Sequence, residues 1–127
     1  MSIVERESWT LAPGVRQDEY DEGMRTWFRW VAAHRGELFP EWRGAAYYRQ
    51  VDNTTLTPTG TYTMQFEFHS EAARRAYKER RADWSGPYAE YKKVDPYEPY
   101  LDHDKVTLSY WEPQERGLWL PDRPDRG

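Results

Sequence analysis

Apolar and polar residues alternate most cleanly between Thr61 and His69. Tyr62, Met64, Phe66 and Phe68 fall on one side, and Thr61, Thr63, Gln65, Glu67 and His69 on the other. Successive side chains of a strand point to opposite faces, so this period of two predicts a strand with one buried face. Residues 3–11 and 42–52 read as two further strands. Residues 105–112 read as a fourth, with Val106, Leu108 and Tyr110 alternating against Thr107, Ser109 and Trp111. The first strand has no clear parity. One side carries Ile3, Glu5, Glu7, Trp9 and Leu11, the other Val4, Arg6, Ser8 and Thr10. Charge enters this strand whichever side is covered, which a bulge or a buried ion pair near the site would explain.

Between the first two strands the spacing turns helical. Asp18 is the expected N-cap, with Glu19, Asp21 and Glu22 in the first turn, where the helix dipole favours acid. Tyr20, Met24, Trp27, Phe28, Val31, Arg35 and Leu38 follow at helical intervals, and all but Arg35 are apolar. Gly36 is the expected stop, and Pro40 prevents continuation. Ser70 is the expected cap of a second helix, whose inward stripe reads Ala72, Ala73, Ala76, Tyr77, Arg80 and Trp84. Ser85-Gly86-Pro87 breaks it, and Tyr88 to Lys93 forms a short helical turn. Residues 53–60 and 95–104 read as loops, the second ordered by its prolines.

The resulting order is βαββαβ, the split βαβ arrangement. It predicts an α+β, ferredoxin-like domain: a four-stranded antiparallel sheet with two helices on one face. The other face is left bare, and a second copy of the chain is the expected cover, making a homodimer.

Composition narrows the class. A chain of 127 residues is one domain, taken here as residues 1–112 followed by a proline-containing tail, 113–127. Charged residues reach 31% against 38% hydrophobic, yet aromatics reach 17%, with seven Trp and ten Tyr. Large rings supply the buried area that Leu and Ile usually supply, so the chain is not disordered by composition. The net charge is −4, and Arg74, Arg75, Arg80 and Arg81 are interleaved with Glu71, Glu79 and Asp83. That run reads as a solvated helix face, and nucleic acid is not an expected partner. No apolar run is long enough for a membrane span or a leader, so the expected location is cytoplasmic. With no cysteine, disulfides, thiolate nucleophiles and iron–sulfur clusters are excluded.

Three stretches carry a resemblance. The run Glu67-Phe68-His69-Ser70-Glu71-Ala72-Ala73-Arg74-Arg75-Ala76-Tyr77 resembles the third-strand-to-second-helix junction of the dimeric α+β barrel superfamily. Leu11-Ala12-Pro13-Gly14, followed by an acidic helix start, is similar to the first junction there. The stretch ending in Asp83-Trp84 resembles the NIPSNAP-like branch. The resemblance covers residues 3–112, and the loop 94–104 and the tail depart from it. It implies a dimeric α+β barrel. Members include cofactor-free antibiotic-pathway monooxygenases, polyketide cyclases, lactone isomerases, and haem-dependent dehydratases and peroxidases, so fold does not choose the chemistry.

Among chemistry-bearing residues, Glu67 and His69 stand two apart on one face of a strand, where a carboxylate orients an imidazole. They are the expected acid–base pair, with His34 a further candidate. Tyr48, Tyr62 and Arg49 are expected to stabilise a developing enolate. Trp27, Trp42, Phe66, Tyr77 and Trp84 are expected to line a substrate cavity between helices and sheet. The function expected from these residues is acid–base catalysis on a small hydrophobic substrate, an aromatic or polyketide-like metabolite. Cyclisation, isomerisation or cofactor-free oxygenation would follow from proton transfer at an acidic carbon. No cofactor and no metal are expected. His103 stands between two aspartates, but no H-x-x-x-H or E-x-x-H spacing occurs. Two alternatives stand beside this reading: a non-catalytic binding or accessory protein, docking through the tail around Trp119, and a haem protein with His69 or His34 as axial ligand.

Overall fold

The computed structural model describes residues 1–83, 85–114, 118, 120 and 121. Its strands are β1 (Ile3–Thr10), β2 (Trp42–Val51), β3 (Pro58–Phe68) and β4 (Thr107–Trp111). Its helices are α1 (Gln17–Ala33), α2 (Arg35–Leu38), α3 (Glu71–Arg81), α4 (Pro87–Lys92) and α5 (Tyr97–Tyr100), with a 3-10 turn over His103–Lys105. The sheet order is β2-β3-β1-β4, and all neighbours are antiparallel. This is the expected ferredoxin-like α+β arrangement.

Pairing settles the parity of β1. Glu5 lies opposite Phe66, Glu7 opposite Met64 and Trp9 opposite Tyr62. Directly opposed residues share a face. The helix-facing side of β1 therefore carries both glutamates, in line with the buried aromatic side of β3. Val4, Arg6, Ser8 and Thr10 share the open side with Thr61, Thr63, Gln65 and Glu67.

In β2, Tyr47 opposes Met64 and faces the helices, whereas Tyr48 opposes Thr63 on the open side. Parity alone would put Trp42 with Tyr48. The register slips between Trp42 and Gly44, however, and Trp42 pairs with Phe68 on the helix-facing side. A one-residue bulge at Arg43 reverses the parity and brings Trp42 into the core.

Helix α1 buries Tyr20, Met24, Trp27 and Val31, as its periodicity predicts. Its start differs from expectation. Arg16 is the N-cap position, and Asp18 sits inside the first turn, paired with Arg16. Its end differs too: α1 stops at His34, and Gly36 lies within α2 rather than terminating α1. Gly23 lets Tyr100 lie on α1, since a Cβ there would run into the Tyr100 ring. The buried hydroxyls at this end of the core are bonded to one another. Trp9 Nε1 donates to Tyr20 Oη at 3.0 Å, Tyr20 and Tyr47 hydroxyls meet at 2.5 Å, and Gln17 donates to Tyr62 at 2.7 Å.

Helix α3 is capped as expected, Ser70 Oγ accepting from the Ala73 N–H at 3.0 Å. Its inward face corrects the expected stripe. Tyr77 is buried and Ala73, Arg74, Lys78 and Arg81 are partly so, while Ala72, Ala76 and Arg80 are exposed. The helix is turned to put cations, not alanines, over β1, because Glu5 and Glu7 stand beneath it. The expected loop 95–104 contains α5 and is tied to the end of β1. Ala12 N–H donates to Tyr100 O at 2.8 Å, and Asp102 N–H to Thr10 O at 3.0 Å.

Candidate functional site

A cavity of about 650 Å³ lies between the helix-facing side of the sheet and the helices. Trp27, Trp42, Phe66 and Tyr77 line it, as their positions predict. Trp84, the fifth expected lining residue, lies outside the described residues. The rings meet edge-to-face or tilted. Trp27 and Phe66 centroids are 6.3 Å apart, and Trp42 and Phe66 4.8 Å. Such a wall accepts a planar apolar body.

The charged part of the cavity comes from β1, α3 and the segment after α4. Glu5 is buried. Lys78 Nζ lies 2.8 Å from Glu5 Oε1, and the Tyr110 hydroxyl donates to the same oxygen at 2.8 Å. Arg81 pairs with Asp95 at 2.9 Å and lies over the rings of Tyr91 and Tyr77, at 5.1 and 6.0 Å. Glu7 differs from both of these carboxylates. It lines the cavity, yet among the described residues its carboxylate accepts no hydrogen bond and joins no ion pair. Burial, and then the nearby Glu5 charge, push its carboxyl above the ordinary glutamate value, against the smaller opposing pull of Arg81 and Lys78. A carboxyl with a raised affinity for protons, facing an aromatic cavity, can chemically accept or donate a proton there.

The expected acid–base pair stands elsewhere. Glu67 is on the open side of β3, 3.2 Å from the Ser2 hydroxyl and 4.0 Å from Arg43, and His69 is exposed just beyond the strand. Neither lines the cavity, because both have the opposite parity from Phe66 and Phe68. His34 ends α1, stacked on Trp30 at 3.9 Å, with Nδ1 2.7 Å from the Trp30 carbonyl oxygen. His69 and His34, the candidate axial ligands of the alternative haem reading, therefore do not line the cavity. His103 does line the cavity. It is stacked on Tyr97 at 4.2 Å, with Nε2 2.8 Å from the Tyr97 carbonyl oxygen. No three His, Asp or Glu among the described residues are grouped to hold a metal.

The expected enolate-binding set is dispersed. Tyr48 is exposed on the open side, and Arg49 is exposed near the end of β2. Tyr62 is buried in the core, bonded to Gln17. Periodicity missed Glu5, Glu7, Lys78 and Arg81. The signal that could have found them was the odd-numbered side of β1, where two glutamates interrupt a strand otherwise holding Ile3, Trp9 and Leu11.

No protein-family model matches the chain, and no curated protein matches it in sequence. Solved structures do resemble it. The hydroxynitrile lyase from Passiflora edulis aligns over 90% of this chain and 94% of that chain, with a TM-score of 0.59 at 15% identity. An uncharacterized NIPSNAP-like domain protein from Burkholderia xenovorans aligns over 98% and 96%, with a TM-score of 0.55 at 17% identity. A dimeric protein of unknown function with a ferredoxin-like fold, from Bacteroides fragilis, aligns over 87% and 95%, with a TM-score of 0.56 at 12% identity. The strand order, the helix-covered face and these likenesses agree: the chain has the ferredoxin-like α+β fold that these proteins share.

Proposed function

We propose that the protein is a small enzyme that moves a proton at an acidic carbon of an aromatic or polyketide-like metabolite, with Glu7 as its acid–base group. The observation that carries this reading is the unpartnered Glu7 carboxyl in a cavity walled by Trp27, Trp42, Phe66 and Tyr77. In the forward step the C–H bond breaks, its electron pair stays with the substrate, and the proton passes to Glu7. Return of that proton to a different atom isomerises the substrate, and attack by the carbanion on an internal carbonyl carbon cyclises it, the C=O π pair moving to oxygen, which takes the proton back from Glu7. The lyase from Passiflora edulis supports the reading only in that the fold is one that holds an enzyme. The open face of the sheet is assigned to a second copy of the chain, in keeping with the dimeric neighbour of the same fold.

Deuterium incorporation tests the assignment. Aromatic carbon acids, β-tetralone first, are incubated with the protein in heavy water and followed by NMR. The expected result is exchange above the buffer rate, falling by a factor of ~100 or more in Glu7→Gln, the usual worth of a positioned acid–base group. Exchange that survives Glu7→Gln and is lost in Glu67→Gln or His69→Ala would overturn it.

A further inference from the structure

The exposed part of the cavity wall lies on one side. Lys92, Tyr97, Glu98, His103 and Leu108 are its exposed lining residues among those described. They belong to β4 and to the segment that leads into it, and β4 is an edge strand of the sheet. The mouth of the cavity therefore opens between β4 and residues 92–103. From there the strand register runs inward. Leu108 is directly opposite Glu7, Glu7 opposite Met64, and Met64 opposite Tyr47, so all four share the helix-facing side. Burial rises along this row: Leu108 is 55% exposed, Glu7 half-buried and Met64 2% exposed. The row beside it, Tyr110, Glu5 and Phe66, also begins exposed and ends buried. Neighbouring strands lie about 5 Å apart, so Glu7 stands one such step inside the mouth, with Phe66 on the next strand in and Trp42 on the one after.

We infer that the substrate enters ring first past Leu108, and that its class is the arylacetone: an aromatic ring on the acidic carbon, with a carbonyl arm on the mouth side. The order of groups along the wall carries this. Trp27, Trp42 and Phe66 are buried at the inner end and take the aromatic part. Glu7 lies between these rings and the mouth, so the carbon that loses its proton follows directly behind the ring. Such a carbon needs an adjacent carbonyl to hold the electron pair as an enolate. The ring occupies the inner side, so the carbonyl arm extends outward, toward Leu108 and solvent. Leu108 is then a specificity-determining residue: the arm passes it, and a larger group there closes the path. The substrate class rests on the acid–base reading, while the path and the orientation are tested by binding alone.

Calorimetric titration compares 2-naphthylacetone with two derivatives bearing the same triethylene glycol arm. One carries it at the end of the acyl group, the other on the ring edge remote from the ketone. The first should bind within about threefold of the parent, because its arm leaves through the mouth. The second should bind roughly tenfold more weakly or worse, because its polar arm would be buried. The chain has no cysteine, so Leu108→Cys introduces a single thiol. Unmodified, this variant should bind 2-naphthylacetone within about threefold of the wild type. Coupling a bulky maleimide dye to it should cut affinity roughly tenfold or more. The same dye on Leu56→Cys, in the exposed loop before β3, should leave affinity unchanged. No binding of 2-naphthylacetone, an equal or reversed ranking of the two derivatives, a Leu108→Cys thiol that does not react, or dye effects alike at the two sites would each overturn the inference. The acid–base reading fails separately. Binding in this orientation without Glu7-dependent deuterium exchange at the benzylic carbon would overturn that reading and leave the entry path standing.

Discussion

The two faces of this sheet carry the same chemistry to different ends. Each has a glutamate in a central strand and a cation beside it. On the covered face, Glu5 is buried and Lys78 reaches it at 2.8 Å. On the open face, Glu67 and Arg43 are 4.0 Å apart, and both side chains are substantially exposed. Within a single copy of the chain, water screens the second pair and is excluded from much of the first. The residue types are alike; parity along the strand decides which pair matters.

Breaking each pair makes the difference measurable. Lys78→Met leaves Glu5 buried with only the Tyr110 hydroxyl, and the expected loss is about 3 kcal/mol in denaturant unfolding. Arg43→Met removes an exposed partner and should cost under ~0.5 kcal/mol. Similar losses for the two would mean that the covered face is wet, and the contrast would fail.

Glycines give a second matched test. Gly23 lies under Tyr100, and Gly23→Ala must move that ring, at an expected cost of about 1–3 kcal/mol. Gly44 sits on the open face, where an added Cβ meets nothing within 4 Å. Gly44→Ala should leave stability unchanged or slightly raised.

A smaller and more specific effect concerns pH. Burial raises the proton affinity of Glu7 in the folded state above its value near 4.5. The folded chain therefore binds this proton more tightly than the unfolded chain does. The stabilising contribution is complete below the unfolded value and is lost as pH rises through the folded one. Glu7→Gln removes this loss. Its Tm relative to the wild type should rise between pH 4 and pH 8. A flat difference for Glu7→Gln would place that carboxyl in water.

How much of this was legible depends on the kind of signal. The alternation in β3 and the stripe of α1 record burial of apolar surface, and the structure follows both. The parity of β1 was not legible, because the pattern treats every charge as outward-facing and Glu5 and Glu7 face inward. The inward face of α3 failed for the complementary reason. Ala72 and Ala76 looked like a core stripe, but Lys78 and Arg81 are drawn inward by carboxylates far away in sequence. Trp42 was correctly expected in the cavity, although the bulge that brings it there left no mark in the residues around Arg43. Glu67 and His69 do not reach the cavity, and spacing could not show this, because it tells that two side chains share a face and not which face is covered.

The Tyr110–Glu5 hydrogen bond joins residues 105 positions apart. During synthesis, β1 emerges first and β4 long after it. A nascent chain ending before Tyr110 carries Glu5 with one of its two anchors missing, and a chain ending before Lys78 carries it with neither. The cavity's charged end is therefore assembled late, by contacts of high sequence separation, which are slow to form. A ribosome-bound fragment lacking β4 leaves the outer edge of β1 unpaired and should favour association with other chains until the last strand docks.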